Sequence, residues 1–225
     1  MQMLKEFKKI MLATNSEGKL KEFKELLGNE DDIELVTIKD VFGDNIPAEP
    51  EENGKTFADN ALIKAKYYSE LSKLPCLADD SGMCVDALDG FPGLISKRFC
   101  ITAENPNPTD EDHNMELIKM LHKKGLTESR AYYECALVLY NAEVNYYYTA
   151  SGKCYGQYKD QGSGSNGFSF DRYFWPDEYG YNFSLADLVD ADKNKISHRG
   201  LAVKEMKENM KLNKTYVLIE EKESE

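Results

Sequence analysis

LPCLADDSGMCVDALDGFPG, residues 74–93, is the stretch on which the reading of this chain turns. Leu74 to Ala78 is a short apolar run that stops at two acids, which reads as a buried strand ending in a loop. Asp79 and Asp80 stand side by side in that loop, followed by Ser81 and Gly82. Neighbouring residues on extended backbone point to opposite faces. One aspartate can therefore face a ligand while the other turns back onto backbone donors. Two carboxylates this close raise each other's pKa unless a cation or hydrogen bonds compensate. A hard divalent ion such as Mg²⁺ is a natural compensation, since it prefers oxygen ligands and takes one or two carboxylates together with phosphates. Taken alone, the four residues would equally suit an acidic surface turn.

The rest of the composition narrows the class. A chain of 225 residues is long enough for one large α/β domain or two lobes sharing a core. Hydrophobic residues make up 41% and charged residues 30%, ordinary values for a water-soluble fold. No run approaches the roughly 18 apolar residues of a membrane span, and the N-terminus lacks an apolar signal region. The five cysteines (76, 84, 100, 135 and 154) are odd in number and form no CxxC, which suits reduced thiols in a cytoplasmic protein. A net charge of −12 argues against binding polymeric nucleic acid. It leaves room for a small anion, provided the cations gather at one site.

Lys9 to Ala13 reads as the first strand, and Leu20, Phe23 and Leu27 are spaced as one face of the first helix. Between them, ATNSEGK (13–19) is a strand–loop–helix junction with a lysine at the helix start, a means of offering N–H groups and a cation to phosphate. It is not the P-loop pattern, and an ordinary turn fits it as well. Residues 33–38 read as a second strand, followed by the acidic loop EPEENG (49–54). Thr56 with Asp59 forms a capping-box pattern, and Phe57, Ala61, Ala65 and Tyr68 form a buried helical face. Asn60 and Lys64 share another face. A helix is expected near residues 110–124, ended by Gly125, and strands over 131–140 and 144–152 form a hairpin. QGSGSNG (161–167) is a flexible loop leading into an aromatic burst. KNKISHR (193–199) opens the final long helix with Ser197 as N-cap, placing cations where the helix dipole favours anions.

Five segments, ATNSEGKLKEF, EENGKTFADNALIKA, LADDSGMCVDALDGFPG, GFSFDRYFWPDEYG and NKISHRGLA, come in an order and spacing that resemble the inosine triphosphate pyrophosphatase family. That family hydrolyses non-standard purine nucleoside triphosphates. The resemblance implies that Thr14, Asn15, Ser16, Glu17, Gly18 and Lys19 form a phosphate-binding loop and that Lys64 reaches the triphosphate. It makes Asp80 the catalytic base and a magnesium ligand, with Ser81 touching substrate. Glu52 or Glu51 becomes the second magnesium ligand. Phe168, Ser169, Phe170 and Asp171 become the base pocket, and Lys193, His198 and Arg199 the base and phosphate contacts. The chain departs from the family pattern at Ser16 (for asparagine), Ser169 (for glycine), Phe170 (for tyrosine or tryptophan) and Arg172 (for proline), which bears on base preference.

The fold that follows is α/β: a long twisted mixed β-sheet flanked by helices, two lobes with the active-site cleft between them, one domain over residues 1–225 with no linker. The reaction implied is Mg²⁺-dependent hydrolysis of ITP, dITP or XTP to the monophosphate and pyrophosphate, by a cytoplasmic homodimer that binds neither polymeric nucleic acid nor membrane. The alternatives are a pyrophosphatase of different base preference and a nucleotide-binding module without turnover.

Overall fold

β1 (Lys9–Leu12) is the run KIML, buried at all but its first residue. The computed structural model describes residues 8–28, 33–211 and 216–217. After β1 the chain turns into α1 (Glu17–Leu27), whose N-cap Ser16 accepts from the Lys19 backbone N–H at 3.5 Å. β2 (Glu34–Thr37) lies parallel to β1, with Lys9 opposite Glu34 and Leu12 opposite Thr37. A short α2 (Ile38–Phe42) follows it. α3 (Phe57–Ser72) opens on the expected capping box. Thr56 accepts from the Asp59 N–H at 3.1 Å while the Asp59 carboxylate accepts from the Thr56 N–H at 2.9 Å. The helix buries Phe57, Ala61, Ala65 and Tyr68, as their spacing predicts, and also Asn60 and Ser69.

β3 (Cys76–Val85) pairs in parallel with β1, Met11 opposite Cys76. Here the sequence expectation fails in one respect. The strand does not stop at the acids; it runs through Asp79, Asp80, Ser81 and Gly82 to Val85. α4 (Asp110–Lys123) begins on another capping box, Thr109 with Asp112. β4 (Glu128–Asn141) and β5 (Tyr146–Lys159) are longer than the pattern suggested. β5 alternates buried and outward residues to its end, but Gly152, Lys153, Gly156 and Gln157 are weak strand formers that hide this from a propensity reading. β6 (Phe174–Pro176) is antiparallel to β5.

Residues 193–199 were expected to open the final long helix with Ser197 as N-cap; that helix does start at His198, and residues 193–196 belong to a helix before it. α5 (Asp190–Ile196) is a separate helix ended by Ser197 in extended conformation, and α6 (His198–Lys211) starts after it. Ser197 still caps α6, its hydroxyl accepting from the Gly200 N–H at 3.1 Å. β7 (Tyr216–Val217) is antiparallel to β5. Hydrogen bonding orders the strands β2-β1-β3-β4-β5-β6, with β7 also on β5, so the sheet is mixed and the fold is α/β.

The chain forms two compact units, each assembled from separated segments. Among the described residues, one draws on 8–28, 33–80, 136–150, 203–211 and 216–217, the other on 81–135 and 151–202. The first has a core of Met11, Ala13, Val36, Ile38, Ala61, Ala65, Tyr68, Cys76, Ala78, Val138 and Tyr140. The second is built around Met83, Val85, Leu117, Leu121, Tyr133, Tyr158, Phe170 and Phe174 with their neighbours. None of the five cysteines forms a disulfide, and four are buried. Among the described residues no helix is long and apolar enough to cross a membrane.

Thr56→Ala removes the hydroxyl half of the cap on α3. We expect a loss of about 1 kcal/mol, read as a fall of roughly 2–4 °C in Tm for a chain of this size, and recovery in Thr56→Ser. A Tm unchanged in Thr56→Ala would show that this cap does not hold the helix end.

Candidate active site

In the first unit the site grows from the contacts that let β3 carry two adjacent aspartates. Asp79 is 1% exposed, and its carboxylate sits 2.7 Å from the Lys19 ammonium, itself 4% exposed. The alternation of β3 thus turns Asp79 inward as expected, but it meets a lysine from α1 rather than backbone donors alone. Asp80, half-buried, faces the other way and accepts from Asn60 Nδ2 at 3.0 Å. Asn60 Oδ1 in turn accepts from the Gly54 N–H at 2.8 Å, tying the acidic loop to α3. At Gly54 the chain passes so close to Asp59 and Asn60 that a Cβ would collide with both, which is why glycine ends the loop.

One helical turn beyond Asn60, Lys64 donates to the Asp79 carbonyl at 3.0 Å and pairs with Glu52 at 2.6 Å. Burial alone would push the Lys64 ammonium down, but Asp79, Glu52 and Asp80 outweigh it and hold its pKa above the ordinary value. Asp80 shifts the other way for a carboxyl. Burial raises its pKa, the Asn60 hydrogen bond, Lys64 and Lys19 lower it, Glu52 raises it again, and the net result is upward. Glu51 is exposed, whereas Glu52 belongs to this cluster. Thr14 and Ser16 are half-buried at the start of α1, with the Ser16 N–H on Thr14 Oγ1 at 3.2 Å, and Asn15 donates to Glu49 at 2.9 Å. Glu17 is exposed and Gly18 half-buried in the first helical turn.

In the second unit a different cluster forms around Asp171. Its Oδ2 accepts from the Phe168 N–H at 2.8 Å and from the Lys193 ammonium at 2.7 Å, and both acid and lysine are 3% exposed. Gly167 has a positive φ of 75°, and a Cβ there would run into the Asp171 carboxylate. The loop can close over its own aspartate only with glycine at that point. Phe168 is half-buried, with the Lys193 ammonium 5.0 Å and the Arg199 guanidinium 5.8 Å from its ring centre. Arg199, 1% exposed, donates to Ser81 Oγ at 3.3 Å, and His198 stacks on Tyr133 at 4.5 Å and 5°.

One expectation needs correction. Phe170 was expected in the base pocket, yet its ring is 2% exposed in the core against Tyr133 and Tyr158, and the half-buried ring of the loop is Phe168. Lys19 and Lys193, read as phosphate contacts, each have their ammonium buried on a carboxylate of their own unit. Of the two adjacent acids, Asp79 carries the Lys19 ammonium on its carboxylate, while Asp80 accepts from Asn60 and keeps a raised pKa. Two residues of these clusters, Asn60 and Asn114, were given no site role from the sequence. Asn60 shares a face with Lys64 and lies six residues after Gly54, which was the available sign. Asn114 interrupts the apolar stripe of Leu117, Ile118 and Leu121 on α4, and a buried amide there signals a specific hydrogen-bonding duty.

The chain matches known proteins over nearly its whole length. The sequence profile of the Ham1 family matches residues 10–209. The dITP/XTP pyrophosphatase of Chromobacterium violaceum is 41% identical over 199 residues, covering 88% of this chain and 94% of that one. The protein of the same name from Haemophilus influenzae is 36% identical over 202 residues, covering 90% and 98%. Among solved structures, the HAM1 protein of Coxiella burnetii aligns with a TM-score of 0.75 at 29% identity, covering 92% of this chain and 98% of that one. The nucleoside-triphosphatase / dITP/XTP pyrophosphatase of Mycobacterium abscessus aligns with a TM-score of 0.64 at 32% identity, covering 87% and 96%. The chain belongs to the Ham1 family.

The raised pKa of Asp80 has a consequence for stability. A carboxyl whose pKa is higher in the folded than in the unfolded chain stabilises the fold fully below its ordinary pKa. That contribution is lost as pH rises through the raised value. At neutral pH the Asp80 charge therefore works against the ligand-free fold. We expect Asp80→Asn to raise Tm by about 1–4 °C at pH 7, with the gap narrowing as pH falls toward the ordinary carboxylate range. A lower Tm for the variant at pH 7 would contradict this electrostatic account.

Proposed function

We propose that this chain hydrolyses the triphosphates of non-standard purines, ITP, dITP and XTP, between the α and β phosphates, releasing the monophosphate and pyrophosphate. The observation that carries the reading is the Asp80 cluster. A half-buried carboxylate is oriented by Asn60, raised in pKa by burial, and flanked by the Lys64–Glu52 pair. Membership of the Ham1 family supports it, since relatives 36–41% identical carry the name dITP/XTP pyrophosphatase.

In this reading Asp80 Oδ1 or Oδ2 takes the proton of the attacking water. A carboxylate whose pKa is moved up toward the working pH is the better base for that step. Lys64 neutralises charge that builds on the phosphates, and Ser81 and Arg199 hold substrate oxygens. The α1 N-terminus offers the backbone N–H groups of Glu17 and Gly18 to a phosphate. Lys19 and Lys193 act mainly by holding Asp79 and Asp171, and through them β3 and the base loop. Phe168 supplies the stacking face for the purine. Donors of Lys193, Arg199 and the loop backbone suit a carbonyl oxygen on its six-membered ring. An amino group there leaves donors unpaired at roughly 1–3 kcal/mol each, about 10- to 10⁴-fold for one or two such groups.

Among the described residues no group of three or more His, Cys, Asp or Glu side chains could enclose an ion. Asp80 and Glu52 are instead the kind of sparse, hard-oxygen set that suits Mg²⁺, which fills its remaining positions with water and phosphate. Bound there, Mg²⁺ would neutralise phosphate charge. Homodimer formation and a cytoplasmic setting are proposed from the family resemblance, and a solution mass of twice the monomer would support the first.

With Mg²⁺ and a panel of triphosphates, the purified protein should turn over ITP and XTP well ahead of ATP, leaving the nucleoside monophosphate and pyrophosphate, and chelation should stop it. Asp80→Asn should lose at least ~10²-fold in turnover. Orthophosphate as the product, or ATP consumed as fast as ITP, would refute the proposal. Lys64→Ala should weaken binding and slow turnover. Lys66→Ala, an exposed neighbour paired only loosely with Glu70 at 4.0 Å, serves as the control and should do little. Equal losses in both variants would mean that the position of Lys64 on α3 is not what matters.

A further inference from the structure

Ser169 lies at the centre of the base loop with φ at +61°, a conformation that side chains other than glycine rarely hold unless something fixes them. Both of its peptide groups are gripped by one turn of α4. Its N–H donates to Asp110 Oδ2 at 2.6 Å, and its carbonyl accepts from Asn114 Nδ2 at 2.9 Å. Asp110 and Asn114 are four apart and share a helix face.

Asn114 is 2% exposed and its hydrogen bonding is complete. Nδ2 also donates to the Asp110 carbonyl at 2.8 Å, and Oδ1 accepts from the Tyr158 hydroxyl at 2.8 Å. Reversing the amide would set its oxygen against two carbonyls, so its orientation is settled by its partners. The far end of the loop is held by the same turn, the Tyr173 hydroxyl donating to Glu111 at 2.6 Å. The Thr109–Asp112 capping box in turn fixes that turn of helix.

We propose that Asp110 and Asn114 are positioning residues for base recognition. They hold Ser169 in its left-handed conformation, and so hold Phe168 and Asp171 in the pose that receives the purine. The inference rests on the reading of residues 168–171 as the base site. A loop already in its bound conformation spares the ordering cost of binding, so the clamp acts on affinity for the base and not on the phosphate chemistry.

The test is steady-state kinetics with ITP, together with Tm, on Asn114→Ala, Asp110→Ala, Asp110→Asn and the double variant Asn114→Ala/Ser169→Gly. Loss of the clamp should raise KM about 10-fold, the size expected when one loop loses its preorganisation, while kcat stays within about 2-fold. Asp110→Asn keeps an oxygen to accept from Ser169 and should retain a near-normal KM. Ser169→Gly should recover part of the loss in Asn114→Ala, because glycine adopts a positive φ without strain.

If Asn114→Ala does not fold, Asp110→Ala, changed at an exposed helix start, carries the test alone. An unchanged KM in a folded clamp variant, or a fall in kcat at constant KM, would overturn the inference. Phe168→Ala separates this outcome from failure of the base-site reading. If its KM is unaltered, the base site is wrongly placed; if it rises while the clamp variants stay normal, only the clamp is wrong.

Discussion

The ion pair between Lys19 and Asp79 is the constraint on which the first unit is built. Both groups are buried and 2.7 Å apart. Each would cost several kcal/mol to bury alone, and removing one partner of such a pair typically costs about 3–5 kcal/mol because the other charge is stranded. With Asp79 neutralised from α1 and its carbonyl held by Lys64, β3 can stay extended through two adjacent acids. Strand alternation then turns Asp80 to the other side, where Asn60 receives it. The same pair ties the start of α1 to β3, so the loop after β1 and the acid of β3 are placed by one contact. The pair therefore earns its position by geometry rather than by net stability.

What could be read in the sequence, and what could not, divides along the range of the interactions involved. The start and buried face of α3 were legible because Thr56, Asp59, Phe57, Ala61, Ala65 and Tyr68 act within a few turns of helix. The continuation of β3 was not. It depends on a lysine 60 residues away in the chain, and no local pattern separates a compensated Asp-Asp pair from one that breaks a strand. The helix α5 was hidden because Val189 at its start supplies no side-chain cap, whereas Ser197 as the cap of α6 was legible. Motif reading placed Phe168 and Phe170 in one pocket without saying which ring is presented. That follows from Tyr133 and Tyr158, which enclose Phe170, and the nearest of these lies more than ten residues distant in sequence.

A net charge of −12 sits awkwardly with a polyanionic substrate until the cations are followed to their partners. Lys19 lies on Asp79, Lys64 on Glu52 and Lys193 on Asp171. In each case a carboxylate holds a lysine in place, so no cluster of bare positive charge has to be maintained in the ligand-free protein. Pairing also limits indiscriminate attraction of anions, since a phosphate has to compete with a carboxylate already at hydrogen-bond distance. The lysine with the highest demand on it is Lys64, surrounded by three acids that hold its proton firmly. It therefore remains a cation at any pH at which the protein would work, and its part is electrostatic, not that of a proton donor.

Asp80 differs from these carboxylates in the balance of its surroundings, and the contrast separates support from chemistry. Its hydrogen bond to Asn60 and the nearby lysines do not fully offset burial and the nearness of Glu52, so its pKa stays raised. A carboxyl left in that state destabilises the empty fold, and such residual frustration tends to persist where a later partner relieves it. A cation arriving with a triphosphate would relieve it directly, by favouring the charged form. Asp79, one residue earlier, has its cation built in. Two neighbouring aspartates on one strand are thus divided by their surroundings, Asp79 lying on the Lys19 ammonium and Asp80 on the Asn60 amide with its pKa raised.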